Sequence, residues 1–378
     1  MALLLLVFSV FAVADGLAAD SSFEHYVKAF GRGYAAGSPE YNERKDLFHR
    51  RQAAIAEQNS RPGRLWTAGL NEFTDRTSKE LARYRGWRHV ESPGSDRALL
   101  LEESVELIAE PPESVDWTNL TMAADVPDQG GCGSCWAVAT ASMLHARSEA
   151  QRGDTKTTFS AQQLVNCVPN PRSCGGEGGC QGATVELAMA YVEKVGLEGD
   201  TKVPYHGEDL TCEQPLETKQ PMSFLQQKRA RGSALIGLDS WTTLAKNKAK
   251  PLMAAVAEGP VAISVAASPW FLYQEGIFNG CDQDAVIDHA VTLFGYGKDG
   301  DQKYWLIRNS WGGGWGEKGY IRLFRHNTAE EDDKFCGTDH DPGVGIECKP
   351  YPKTVQVCGM CGMLYDSVAA HFSPVMQL

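Results

Sequence analysis

All eleven cysteines of this 378-residue chain lie between positions 132 and 361, and the residues before Cys132 contain none. Disulfides can staple only the part of a chain that carries thiols, so the cysteines divide this one into an unstapled N-terminal appendage and a cross-linked body. The count is odd. Pairing leaves one thiol over, and a free thiol in an oxidising compartment needs a chemical reason such as catalysis. The N-terminus points to that compartment. MALLLLVFSVFAVADGLAAD carries an apolar run from Leu3 to Val13 followed by small residues, the pattern of a signal peptide cleaved after Ala14 (1–14) or after Ala19 (1–19).

A formal net charge of −12 argues against a nucleic acid or an anionic membrane as partner and suits a soluble protein working in acid. No later stretch is long and apolar enough to span a bilayer. Within the appendage (20–89), SPEYNERKDLFHRRQAAIAEQN has helical spacing, with Ser38 as N-cap, Pro39 as first helical residue and Leu47, Phe48 and Ile55 on an apolar stripe. Residues 90–110 lose that order and read as a linker ending at Pro111-Pro112. In the body, helical spacing comes first (SCWAVATASMLHARSEAQ, FSAQQLVNC, GATVELAMAYVEKVG) and strand patterns follow (GPVAISVAAS, HAVTLFGYG, QKYWLIRNSW, GYIRLFR). That order predicts an α+β body in two lobes.

The reactive sulfur is expected in QGGCGSCWAV, residues 129–138. A thiol attacks as thiolate, which a helix N-terminus and a neighbouring imidazolium favour. The helical run begins at Cys135, while Cys132 sits in the glycine turn before it and is free to form a disulfide. His289 opens an apolar strand in VIDHAVTLFGYG; such a histidine is more often a buried structural residue. The later YWLIRNSWGGGWG changes that balance, because Asn309 can hold the imidazole tautomer and Trp311 can cover the bond from water. Gln129 is near enough to aim its amide at a developing oxyanion beside the Cys135 N–H.

With these residues in place, the chain resembles papain-like cysteine peptidases, for which C-G-S-C-W is a local signature. The resemblance implies a two-lobe fold with a helical left lobe and a β-barrel-like right lobe. It assigns Gln129 to the oxyanion hole, Cys135 as nucleophile, His289 as general base then acid, and Asn309 as orienting residue. His289 and Asn309 lie farther from Cys135 than the usual spacing of about 130–150 residues, which points to an insertion, expected at 213–240. Glu40, Arg44, Phe48, Ile55 and Asn59, with Arg51 in place of the usual Asn, and then Gly69, Asn71, Phe73 and Asp75, resemble the two motifs of a cathepsin L-like inhibitory propeptide. A zymogen is implied, with maturation in the linker and a peptidase domain over 111–345. No histidine pair suggests an occluding loop, so an endopeptidase is expected.

The resemblance further implies disulfides Cys132–Cys180, Cys167–Cys212 and Cys281–Cys336, leaving Cys174, Cys348, Cys358 and Cys361 to form two more. Cys358-Gly-Met-Cys361 could also be a redox motif or half a zinc site. Substrate backbone is expected along Gln181, Gly182 and Ala183, where Ala183 replaces a glycine, with Asp288 and Trp311 also against substrate. Ser264, Ile287 and Ala290 are expected to line a specificity pocket for a medium apolar side chain, or a basic one if Asp339 or Asp341 forms its floor. Residues 346–378 fall outside the resemblance and read as an extension that stacks on the second lobe or is trimmed. The sequence thus predicts a monomeric endopeptidase of the secretory route, in lysosome, acidic vacuole or extracellular space, with no cofactor or metal, its partners being peptide or protein substrates and its own propeptide. A catalytically silent peptide-binding homologue, a redox or metal module built on the C-terminal cysteines, and an acyl transferase are the alternatives.

Overall fold

A computed structural model describes residues 21–86, 110–213 and 238–372. The expected signal peptide, nearly all of the linker with its maturation site, and most of the segment 213–240 lie outside the described residues.

The appendage folds on a small core of its own. Helices α1 (Phe23–Ala29) and α2 (Pro39–Ser60) bring Phe23, Tyr26, Phe48 and Ile55 against Ala68 and Leu70. The Ser38 hydroxyl accepts from the Tyr41 N–H at 3.1 Å and Pro39 opens α2, because proline has no N–H to leave unpaired in a first turn. Asn59 then anchors β1 (Trp66–Ala68), donating to the Ala68 carbonyl at 2.8 Å and accepting from its N–H at 2.9 Å. Arg51 donates to the Phe73 carbonyl at 2.6 Å. The last element, α3 (Ser78–Arg83), begins with a capping box between Thr77 and Glu80. Asp75, fully buried, accepts from Tyr26, Arg32 and Tyr34.

The body has a helical lobe of α4 (Cys135–Arg152), α5 (Ala161–Cys167) and α6 (Val185–Val195). A short α7 (Ala249–Glu258) and α8 (Ala329–Lys334) flank the sheet. Its strands are β2 (Val115–Asp116), β3 (Leu238–Thr243), β4 (Val261–Val265), β5 (Tyr273–Phe278), β6 (His289–Asp299), β7 (Gln302–Arg308), β8 (Tyr320–Arg325) and β11 (Ser367–Phe372). They join in the order β1-β5-β8-β7-β6-β4-β11-β3, with β2 on β6, while β9 (Cys336–Asp339) and β10 (Val355–Cys358) form a separate hairpin. The appendage thus contributes the edge strand of the body's sheet.

Strands β4, β6 and β11 are buried on both faces, and the two-residue period of a strand sorts their side chains between two cores. Ala262, Ala290, Val368 and Ala370 face the helical lobe, whereas Ile263, Val291 and Ala369 face the strand lobe with Trp305, Ile321 and Leu323. Helix α4 lies between the lobes, which is why it is buried almost all round. Its one fully buried cation, Arg147, donates to the carbonyls of Pro260, Ala370, Ala255 and Gly259 and ties α4 to both β4 and β11.

Two expectations need correction. Residues 346–372, expected as part of an extension over 346–378, are not an appended tail: β11 completes the sheet between β4 and β3. The disulfide Cys281–Cys336 does not form either. Cys336 stands directly opposite Cys358 in the β9–β10 hairpin and bonds to it, while Cys281, just past β5, reaches Cys361. Cys132–Cys180, Cys167–Cys212 and Cys174–Cys348 complete the set, and Cys135 alone is free. Because Cys358 and Cys361 bond to different partners, CGMC is neither a redox pair nor an open set of metal ligands.

Candidate active site

Cys135 is the first residue of α4, behind Ser134 at the N-cap, so its sulfur sits at the positive end of an 18-residue helix. Ser134 makes no capping bond to the helix; its hydroxyl pairs instead with Tyr205, whose own hydroxyl donates to the Gln129 carbonyl. The Cys132–Cys180 disulfide holds the glycine turn before Cys135 against the Gln181 backbone, where Gly133 N–H donates to the Cys180 carbonyl at 3.1 Å.

His289 enters from the first position of β6, paired with Val265 of β4. Its Nε2 lies 2.8 Å from Asn309 Oδ1, and its Nδ1 is buried with no hydrogen-bond partner. The tautomer is therefore set by Asn309, and Nδ1 is the nitrogen left for the sulfur. Trp311 covers this pair, its ring 5.1 Å from the imidazole and stacked on Phe271 at 4.5 Å. Gln129, also fully buried, is clamped by Ser310, whose hydroxyl donates to Oε1 at 2.5 Å, and by the Cys132 carbonyl, which accepts from Nε2 at 3.0 Å. The clamp fixes the amide while leaving its second N–H available.

Cys135, His289, Asp288, Ala290, Ser264, Ala183, Thr184 and Val185 line one cavity of about 10 Å³, roughly room for one water molecule. Arg85 and Gly86 of the appendage line the same cavity and cover it. A Cβ placed on Gly86 would stand 3.1 Å from Cys135 Sγ, and one on Gly182 would stand 2.2 Å from the Gly86 carbonyl oxygen. Burial under this cover pushes the Cys135 thiol up to about 12, with backbone N–H groups of Ala290 and Trp136 only partly offsetting it. Burial likewise pulls His289 down to about 4 against the pull of Asn309. Under this cover, burial disfavours the charged form of both partners.

The remaining candidates divide. Gly182, Ala183, Ser264, Asp288, Ala290 and Trp311 are at the cleft. Gln181 instead donates to Asp209 at 2.8 Å. Ile287 packs with Val357 and Tyr365 behind the pocket. Asp339 and Asp341 are not at the floor: Asp339 accepts from the Ile287 and Asp341 N–H groups. Val344 and Gly345 close the pocket in their place. Two carboxyls stand behind Ser264 that sequence reasoning missed. Ser264 Oγ donates to Asp366 at 2.5 Å, and Asp366 hydrogen-bonds Glu186 in the first turn of α6. Burial and that like-charged neighbour push the Glu186 carboxyl well above the usual carboxylate range. Among the described residues no cluster of His, Cys, Asp and Glu could hold a metal ion, and no helix is long and apolar enough to cross a membrane.

Comparison with known proteins places this geometry. The family model "Papain family cysteine protease" matches residues 111–345, and "Cathepsin propeptide inhibitor domain (I29)" matches residues 23–81. Cysteine proteinase RD21A of Arabidopsis thaliana is 31% identical over 331 residues, 86% of this chain and 66% of the relative. A cathepsin L-like proteinase of Phaedon cochleariae is 30% identical over 302 residues, 78% of this chain and 84% of the relative. Among solved structures, recombinant stem bromelain precursor superposes with a TM-score of 0.67 at 26% identity, covering 93% of this chain and 97% of the precursor. Cleft, free thiol and covering segment together have this explanation: the chain belongs to the papain family of cysteine proteases and carries a cathepsin-type inhibitory propeptide.

Proposed function

We propose that the matured body is an endopeptidase whose reacting groups are Cys135, His289, Asn309 and Gln129. One observation carries the assignment: the sole free thiol among the cysteines lies at a helix N-terminus in the same cavity as an imidazole whose far nitrogen is already held by Asn309. Once the propeptide leaves, burial of the pair is relieved and the proton passes from sulfur to Nδ1. The thiolate attacks the peptide carbonyl carbon, and the carbonyl electron pair becomes an oxyanion that accepts from the Cys135 N–H and the Gln129 amide. The C–N bond breaks as Nδ1–H protonates the leaving amine. His289 then takes a proton from water, which attacks the thioester and releases the acid.

Acyl-side substrate residues run along Gly182 and Ala183, and Val185, Ser264, Ala290 and Val344 offer a pocket for a medium apolar side chain. The propeptide passes from Trp311, whose indole donates to the Tyr84 carbonyl at 3.0 Å, over Cys135 to Gly182. That course is opposite to the one a cleaved peptide takes, so Gly86 covers the sulfur without presenting a scissile bond. Maturation is assigned to the segment before Pro111, and the enzyme to a monomer of the secretory route in an acidic compartment, where its five disulfides persist. Incubating the precursor in mildly reducing acid with a fluorogenic peptide tests the reading: hydrolysis appears with loss of the propeptide and is absent in Cys135→Ala. Propeptide loss without hydrolysis across several peptides favours a peptide-binding protein instead.

A further inference from the structure

The propeptide also marks the side of the cleft from which the leaving group departs. Arg85 Nη1 lies 2.5 Å from Asp288 Oδ2 and hydrogen-bonds the Ser268 hydroxyl, and its guanidinium carbon sits 5.5 Å from the centre of the Phe271 ring. The receiving carboxylate is held in advance: Oδ1 accepts from the Ala267 N–H at 2.9 Å and Oδ2 from the Ser268 hydroxyl at 2.8 Å. Asp288 is buried, with its side chain 5% exposed. Those two donors orient the carboxylate but bring no charge; Arg85 brings it.

The location gives this contact a meaning. Asp288 immediately precedes His289, which must deliver its proton to the departing amine, and Tyr84, one residue before Arg85, is held by Trp311. The chain then crosses Cys135 at Gly86, and the Gly86 carbonyl reaches Gly182, so Arg85 stands on the Trp311 side of that crossing. When the propeptide leaves, the Asp288 carboxylate loses its cation while the Ala267 N–H and the Ser268 hydroxyl still hold it in place. A substrate cation restores the pair, and the Phe271 face adds to its attraction.

We propose that Asp288, Ser268 and Phe271 form a cation-selecting subsite for the residue just after the scissile bond, occupied in the precursor by Arg85, so that the mature enzyme prefers Arg or Lys there. The proposal rests on the hydrolytic reading above. Its test is a series of internally quenched peptides identical except for Arg, Gln or Glu after the cleaved bond, with the cut located by mass spectrometry. The Arg peptide is expected to exceed the Gln peptide in kcat/KM by about tenfold or more, with Glu lowest, as for a buried charge pair. In Asp288→Asn the Arg-to-Gln ratio, read within that variant, falls to about one. Equal turnover of the Arg and Gln peptides by the unaltered enzyme, or a preference that survives Asp288→Asn, overturns the subsite. If Cys135 cleaves no peptide at all, the hydrolytic reading fails separately, and the precursor decides the subsite. There, Arg85→Gln speeds iodoacetamide labelling of Cys135 by about tenfold if Asp288 holds Arg85, and an unchanged rate overturns the proposal.

Discussion

Gly86 lies across Cys135 so closely that a Cβ at position 86 would stand 3.1 Å from its sulfur, and its backbone holds φ at +78°. Both facts demand glycine, the one residue that adopts this conformation without steric penalty. Replacing it loosens the cover rather than the body. Gly86→Ala should weaken docking of the covering segment by about 1–2 kcal/mol, read as roughly five- to thirtyfold faster iodoacetamide labelling of Cys135 in the precursor.

Glu72 of the propeptide faces Asp128 of the body, and burial together with that like charge raises its carboxyl to about 7. A carboxyl raised in the docked state contributes stability that is complete below its free value near 4.5 and is lost as pH rises through 7. Glu72→Gln should therefore stabilise the docked propeptide near pH 8, by about 1–3 kcal/mol, with the gain vanishing below pH 4.5. Thermal melts of both precursors across that range check the sign. Glu80 runs the other way. Its burial is outweighed by bonds from Arg44 and Thr77, which hold it at about 2, so its contribution is present above 4.5 and fades as pH falls through 2. Acid loosening of the propeptide must come from groups of the second kind.

Arg147 supplies donors to four carbonyls between α4 and the sheet and has no carboxylate beside it in those contacts. Arg147→Met removes all four bonds from a buried interface, and should lower unfolding stability by about 3 kcal/mol or more. Chemical denaturation of the Cys135→Ala precursor measures this without self-digestion.

Strand β11 fills the gap between β4 and β3, so a chain ended before Ser367 exposes two strand edges and removes Val368, Ala369, Ala370 and Phe372 from both cores. Such a truncation should be recovered only as aggregate, whereas one ended at Phe372 should stay soluble. Soluble, active protein from the shorter chain would contradict the placement of β11.

The residues that meet at Cys135 were legible because each has a local signal: a helix start at Cys135, a strand start at His289 and an Asn309 beside an indole can each be read within a few residues. The capped start of α2 was legible for the same reason. The C-terminal region was not. Between β8 and β11 the chain inserts α8 and the β9–β10 hairpin, and this separates Cys361 and β11 from the strands they join. The run SVAAHF is short, with small residues suited to a strand squeezed between two cores, so its alternation is faint. The pairing of Cys281 with Cys336 came from the family pattern, which does not reach residues 346–378, and with β11 read as an extension Asp366 could not be placed behind Ser264. The sole available signal was CGMLYD itself, a cysteine followed by a turn and a strand-forming run.

The most direct measurement follows the labelling rate of Cys135 by iodoacetamide from pH 3 to 9, in the precursor and after propeptide removal. Because every other cysteine is in a disulfide, the label reports one sulfur. With the thiol raised to about 12 and the imidazole lowered to about 4, the covered pair is neutral across most of this range. The precursor should label slowly and only faster toward the alkaline end, while the matured enzyme labels rapidly from mildly acid pH as its thiolate–imidazolium pair forms. Matching profiles before and after propeptide removal would contradict the account that Gly86 and Arg85 hold Cys135 and His289 neutral.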